Sequence, residues 1–113
     1  MHELALTEHM LELALDAAER GGARRILQIN IRLGVLSGVI PSCVEYYFGL
    51  QSRGTMAEGA RLQMEQLPLK ISCRGCGRES EADHVLFSCP HCGSEDFRLL
   101  SGREYYVDSL VAE

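Results

Sequence analysis

The stretch RRILQINIRLGVL, residues 24–36, carries the strand on which the fold turns. Leu27, Ile29, Ile31 and Leu33 alternate with Gln28, Asn30 and Arg32. Successive side chains of an extended chain point to opposite faces, so this pattern predicts a half-buried strand, apolar on one side and polar on the other. The run from Gly34 to Gly38 breaks it. An apolar sheet face must be covered, and the flanking segments supply the cover.

On the N-terminal side, Leu4 to about Arg20 reads as a helix. Leu4, Leu11, Ala14, Leu15 and Ala18 recur at helical spacing on one side, while Glu8, Glu12, Asp16 and Arg20 fall four apart on the other. Asp16 and Arg20 form a favourable pair at the end of that polar row, and Gly21-Gly22 stops the helix. On the C-terminal side, Pro41 suits the first turn of a second helix, where its missing N–H costs nothing. Cys43, Val44, Tyr47, Phe48 and Leu50 are its expected buried face, and Gly54 its end. Then ARLQMEQLPLK, residues 60–70, alternates again through Leu62 and Met64. A last strand spans about Glu104 to Val111, with Tyr106, Val107, Leu110 and Val111 and a less clean alternation. The succession strand, helix, strand implies a crossover, so the sheet is expected to be mixed. The predicted fold is α+β: two helices packed on one face of a three-stranded mixed sheet, with an inserted zinc-ribbon-like module. The expected division is 1–70 plus 99–113 for the α/β domain and 71–98 for the module.

That module announces itself by texture. From about Ile71 to Phe97 there are four cysteines, several glycines and many charges, with little apolar matter. CRGCG supplies Cys73 and Cys76, and CPHCG supplies Cys89 and Cys92, in the spacing C-x2-C-x12-C-x2-C. Each pair is followed by a glycine, Gly77 or Gly93, at the point where the turn demands positive φ. Two such turns face to face give four thiolates in a tetrahedron, which suits zinc. Four protein ligands close the coordination sphere, so the expected role is structural. A segment of this size cannot bury enough apolar surface to fold alone, and the metal must supply the difference. His84 and His91 lie nearby and read either as exposed loop residues or as ligands able to replace a sulfur. Cys43 reads as a small core residue on the second helix.

The totals narrow the function. The chain has 113 residues, 46% apolar and 24% charged, enough for one compact domain with a small module and too apolar for disorder. No apolar run reaches the roughly 18–20 residues of a membrane helix. The first ten residues hold no lysine or arginine, so no signal-peptide pattern is present and a cytoplasmic protein is expected. Close cysteine pairs in that compartment read as a metal site before disulfides. A net charge of −5 argues against a nucleic-acid partner. The alternative is a zinc-ribbon nucleic-acid-binding or protein-interaction module; within the module, Arg74, Arg78 and Arg98 are outweighed by Glu79, Glu81, Asp83, Glu95 and Asp96, which disfavours the nucleic-acid-binding form. CxxCG turns also occur in rubredoxin-like electron carriers, but the sheet domain would then have no evident use. No phosphate loop, nucleophile elbow or His–Glu helix motif suggests an enzyme.

The chain opens MHE. The Met1 amine, the backbone nitrogens of His2 and Glu3 and the imidazole of His2 place four nitrogens at one end. Through deprotonated amides they can close a square-planar, nitrogen-rich chelate, a geometry that selects Ni(II) or Cu(II) over zinc. From two residues alone, an incidental histidine and an acid favoured near a helix start account for the same letters. His9 reads as a further ligand or as a half-exposed helix residue.

Taken together, MHELALT, RLGVLSGV, GTMAEGARL, CRGCG, FSCPHCGSEDF and SGREYYV resemble the HypA/HybF family nearly end to end. These are nickel-insertion accessory proteins of [NiFe]-hydrogenase maturation. The resemblance implies a two-domain nickel metallochaperone and not an enzyme. It implies nickel held by His2, Glu3 and Met1, and zinc held by Cys73, Cys76, Cys89 and Cys92. It also implies delivery with a HypB-type GTPase to the hydrogenase large subunit, with some members serving urease maturation factors. In some members a distant histidine completes the nickel sphere. The stretch DFRLLSGREYY has none, which leaves the Met1 amine or a water.

Overall fold

The computed structural model describes residues 3–113; Met1 and His2, two of the expected nickel ligands, lie outside the described residues. Helix α1 (Glu3–Arg20) ends at the glycine pair, with Gly21 N–H on the Ala17 carbonyl and Gly22 N–H on that of Glu19. The strand at the heart of the sequence is β1 (Ile26–Gly34). Helix α2 (Pro41–Gln51) carries proline in its first turn, as expected. Strand β2 (Arg61–Leu67) follows, and β6 (Tyr105–Ala112) closes the chain.

These three strands form one sheet in the order β2-β1-β6. Arg25 and Glu113 exchange backbone hydrogen bonds while Gly34 N–H reaches the Glu104 carbonyl, so β1 and β6 run antiparallel. Val35 N–H bonds the Leu67 carbonyl, joining the C-terminal ends of β1 and β2, as a parallel pair requires. The sheet is therefore mixed, with α2 as the crossover.

One face of β1 is buried through Ile29, Ile31 and Leu33, the face predicted from alternation. The polar face is laced together: Gln28 donates to Asn30, Asn30 to the Ser109 hydroxyl at 2.9 Å, and Arg32 lies 3.7 Å from both Glu65 and Asp108. Those ion pairs are about half exposed, so they fix register more than they stabilise. The predicted Asp16–Arg20 pair forms at 3.0 Å on the α1 surface.

Three predicted core positions are corrected. Leu4, Leu27 and Leu50 are exposed, and Thr7, Met10 and Ile26 are buried instead. Each exposed leucine sits near the end of its element, where the periodic pattern continues but the covering layer has stopped.

Residues 66–105 hold more regular structure than their composition suggested. Strands β3 (Leu69–Cys73), β4 (Glu79–Ala82) and β5 (Phe97–Ser101) form an antiparallel sheet in the order β4-β3-β5, with Ile71 opposite Ser80 on one side and Leu99 on the other. Leu69 and Ile71 are fully buried. The alternation read through residues 60–70 thus belongs to two strands, β2 and β3, separated at Pro68. By contact density, one compact unit takes in residues up to Arg32, Val39–Glu65 and Tyr106–Glu113, and a second takes in Leu33–Gly38 and Gln66–Tyr105.

Two glycines give opposite expectations for one substitution. A Cβ on Gly34 would overlap the Gly102 carbonyl and lie 2.7 Å from Glu104 Oε1, so Gly34→Ala forces backbone apart and is expected to cost about 1–3 kcal/mol or more. Gly49, inside α2, has nothing within 4 Å of such a Cβ and lines an open groove. Gly49→Ala should stabilise by about 0.5–1 kcal/mol. Urea unfolding of both variants reads the two signs, and a stabilised Gly34→Ala would refute the close packing at the end of β1.

Candidate metal centre

The centre is built from two copies of one turn. Cys73 N–H bonds the Arg78 carbonyl and Gly77 N–H the Cys73 carbonyl. In the second copy Cys89 N–H bonds the Ser94 carbonyl and Gly93 N–H the Cys89 carbonyl. Gly77 and Gly93 adopt φ of 77° and 78°, the conformation for which only glycine carries no Cβ penalty. The first turn hangs from the end of β3, and the second leads into β5. Gly75 lets them close on each other, since a Cβ there would lie 3.2 Å from that of Ser94.

All four sulfurs converge. Cys73 Sγ lies 3.6 Å from Cys92 Sγ, and Cys76 Sγ lies 3.7 Å from Cys89 Sγ. Every pair among the four falls within 4.8 Å. A tetrahedron with Zn–S of about 2.3 Å has S–S edges of about 3.8 Å, so the cage matches a tetrathiolate metal site. The cysteines are free thiols at distances far beyond an S–S bond.

The four are not equivalent. Cys73 and Cys89 are buried and Cys76 and Cys92 exposed. Cys73 Sγ accepts from the N–H of Gly75 at 3.3 Å and of Cys76 at 3.4 Å, and Cys89 Sγ from the N–H of His91 at 3.4 Å. Hydrogen bonds to sulfur favour the thiolate. The Cys76 N–H, above all, outweighs burial and lowers Cys73 to about 6. Cys89 is lowered likewise, chiefly by the Cys92 N–H. At Cys92 the Ser94 N–H pulls down, but the Cys73 sulfur, burial and the other two sulfurs push it up to about 11. Within this set Cys73 and Cys89 favour the thiolate, while Cys92 keeps its proton until a cation displaces it.

Neither nearby histidine joins the sulfurs among the described residues. His84 is exposed and pairs with Asp83 at 2.9 Å, and His91 points its Nδ1 at Arg78, 3.4 Å away. His9 lies exposed on α1, and Cys43 is half-buried on α2, apart from the cluster. The backbone donors at Gly75 and His91 were not singled out from the sequence. Their only signal is the CxxCG turn itself.

A family model described as "Hydrogenase/urease nickel incorporation, metallochaperone, hypA" matches residues 1–112. The "Hydrogenase maturation factor HypA" of Moorella thermoacetica is 39% identical over 113 residues, covering 100% of both chains. That of Syntrophus aciditrophicus is 42% identical over 104 residues, covering 92% of this chain and 91% of the relative. The solution structure of the nickel metallochaperone HypA from Helicobacter pylori superposes with a TM-score of 0.69 at 18% identity, covering 99% of this chain and 97% of that one. A second solution structure, of a HypA protein, gives 0.73 at 20% identity over 100% and 97%. These two show a shared fold.

Cys73 is depressed from 9.0 to about 6, so the folding stability its thiolate contributes is complete above pH 9 and is lost as pH falls through about 6, whereas Cys92, pushed up to about 11, holds a proton that zinc must displace. Chelator competition for zinc should therefore show affinity falling from pH 8 to pH 6. Cys73→Ser should lose the metal outright. Stripping the metal should collapse amide signals from residues 66–105 and spare those from 39–65. An unchanged 66–105 spectrum would refute metal-dependent folding.

Proposed function

This chain belongs to the HypA family of hydrogenase and urease nickel-incorporation metallochaperones, a family of carriers and not of enzymes, and we propose that it binds Ni(II) at its N-terminal MHE motif and passes it on for [NiFe]-hydrogenase maturation. The ligands in this reading are the His2 imidazole, the backbone nitrogens of His2 and Glu3, and the Met1 amine. Zinc occupies the Cys73, Cys76, Cys89 and Cys92 site and holds its module folded. Delivery proceeds with a HypB-type GTPase to the hydrogenase large subunit, or to urease maturation factors, in the cytoplasm, where thiolates stay reduced.

The observation that carries the reading is that Glu3 lies in the N-terminal turn of α1, the first turn described. The first N–H groups of a helix have no carbonyl to bond, so the Glu3 nitrogen is spare backbone, available to a metal without loss of a helix bond. A deprotonated amide there also gains from the positive end of the helix dipole. Four nitrogens in a plane suit Ni(II). A site assembled around the ion at a chain end can hold the cargo and still unwrap to release it.

The exposed row Glu8, Glu12 and Asp16 runs along α1 from the motif and is the candidate docking face for the partner. The acidic balance of the chain, −5, disfavours the rival reading of a nucleic-acid-binding zinc ribbon.

Nickel titration of the tag-free protein tests this reading. A square-planar visible band is expected. It should vanish in His2→Ala and when one residue is added before Met1. Affinity should fall below neutral pH, because nickel must displace protons from an amine of pKa about 7.7–8.0 and an imidazole of about 6.5. A band that survives both changes would remove the motif from the site.

A further inference from the structure

Two side chains grip the first turn of α1 in a way helix formation does not require. Thr7 is completely buried, and its hydroxyl donates to the Glu3 carbonyl at 2.6 Å. Gln51, the last residue of α2, donates from Nε2 to the Leu4 carbonyl at 3.2 Å. The helix ladder already offers each of these carbonyls the N–H four residues on. Both side-chain bonds are therefore second bonds to acceptors that were not in need.

Gln51 makes its bond at a penalty. Its Oε1 is buried with no partner among the described residues. Turning the amide over would aim that oxygen at the Leu4 carbonyl, so the donor end must face α1. A leucine would fill the same space without an orphaned acceptor. Thr7 poses the same question, since valine has its shape and would suit a fully buried position better. Neither residue is explained by packing, yet both act on the turn that starts with Glu3.

We propose that Thr7 and Gln51 are positioning residues for the nickel motif, clamping the Glu3 and Leu4 carbonyls so that the turn carrying the Glu3 nitrogen is held in place. This rests on the reading of the MHE motif given above. Helix ends fray unless held. With the turn held, the Glu3 nitrogen keeps one orientation, and less of the motif is left for the cation to order. Ordering fewer residues leaves more of the ligand-binding free energy as affinity. The clamp also joins the two helices: Gln51 reaches the motif's turn from the end of α2.

The test uses the full-length, tag-free, zinc-loaded protein, with nickel affinity read from the visible band under chelator competition, beside melting temperature and zinc content. Thr7→Val and Gln51→Leu should each weaken nickel about three- to tenfold, the range that one net hydrogen bond supplies. Thr7→Ser should bind as wild type. Gln51→Leu should melt no lower than wild type, because it removes an unpaired buried acceptor, so weaker nickel binding there cannot be general destabilisation. Wild-type nickel affinity in both Thr7→Val and Gln51→Leu, with binding lost in His2→Ala, overturns the clamp and leaves the motif standing. Undiminished binding in His2→Ala overturns both.

Discussion

The sheet depends on one strand having no free edge. β1 is hydrogen-bonded on both sides and buried on one face, and this constraint sets the order of everything else. Its parallel neighbour β2 cannot follow by a tight turn, so the chain must cross over, and α2 is that crossover. Its antiparallel neighbour β6 comes from the far end of the sequence. The long stretch between β2 and β6 is consequently free to build something of its own. It becomes a second three-stranded sheet that carries the cysteine turns.

In that second unit, cysteine spacing and sheet cooperate. β3 places Cys73 at its end, with Leu69 and Ile71 buried behind it. β5 receives the chain after the second turn, with Phe97 opposite Cys73 in the register. The resulting cage has an inner and an outer half. Cys73 and Cys89 are shielded and bonded by backbone N–H groups, while Cys76 and Cys92 face water. Such a centre is anchored from within and accessible from without, which fits a closed structural site whose ion arrives last.

The carrier chemistry follows a different logic. A structural site gains from enclosure, whereas a cargo site must also let go. In the proposed reading, a cargo held beside the first turn of α1 would meet spare backbone nitrogens there. The bonds from Thr7 and Gln51 hold the Glu3 and Leu4 carbonyls of that turn.

Much of this was legible in the letters. Alternation in residues 24–36 gave the central strand and its buried face, Pro41 the start of α2, and the two CxxCG turns the metal cage, glycines included. These are local codes: a period of two, a φ restriction, a fixed spacing. The covered faces of α1, β1 and α2 were only partly legible, because periodicity does not say where the covering layer ends, and so Leu4, Leu27 and Leu50 are exposed while Thr7 is buried. Strands β3 to β5 were hidden, since each is short and only pairing across residues 69–101 makes them a sheet. The sequence by itself determined which residues could bind a metal and which strand lies at the centre. Tertiary structure alone decided which thiols are shielded and which carbonyls are clamped, because burial and hydrogen bonding between distant residues depend on where the chain returns.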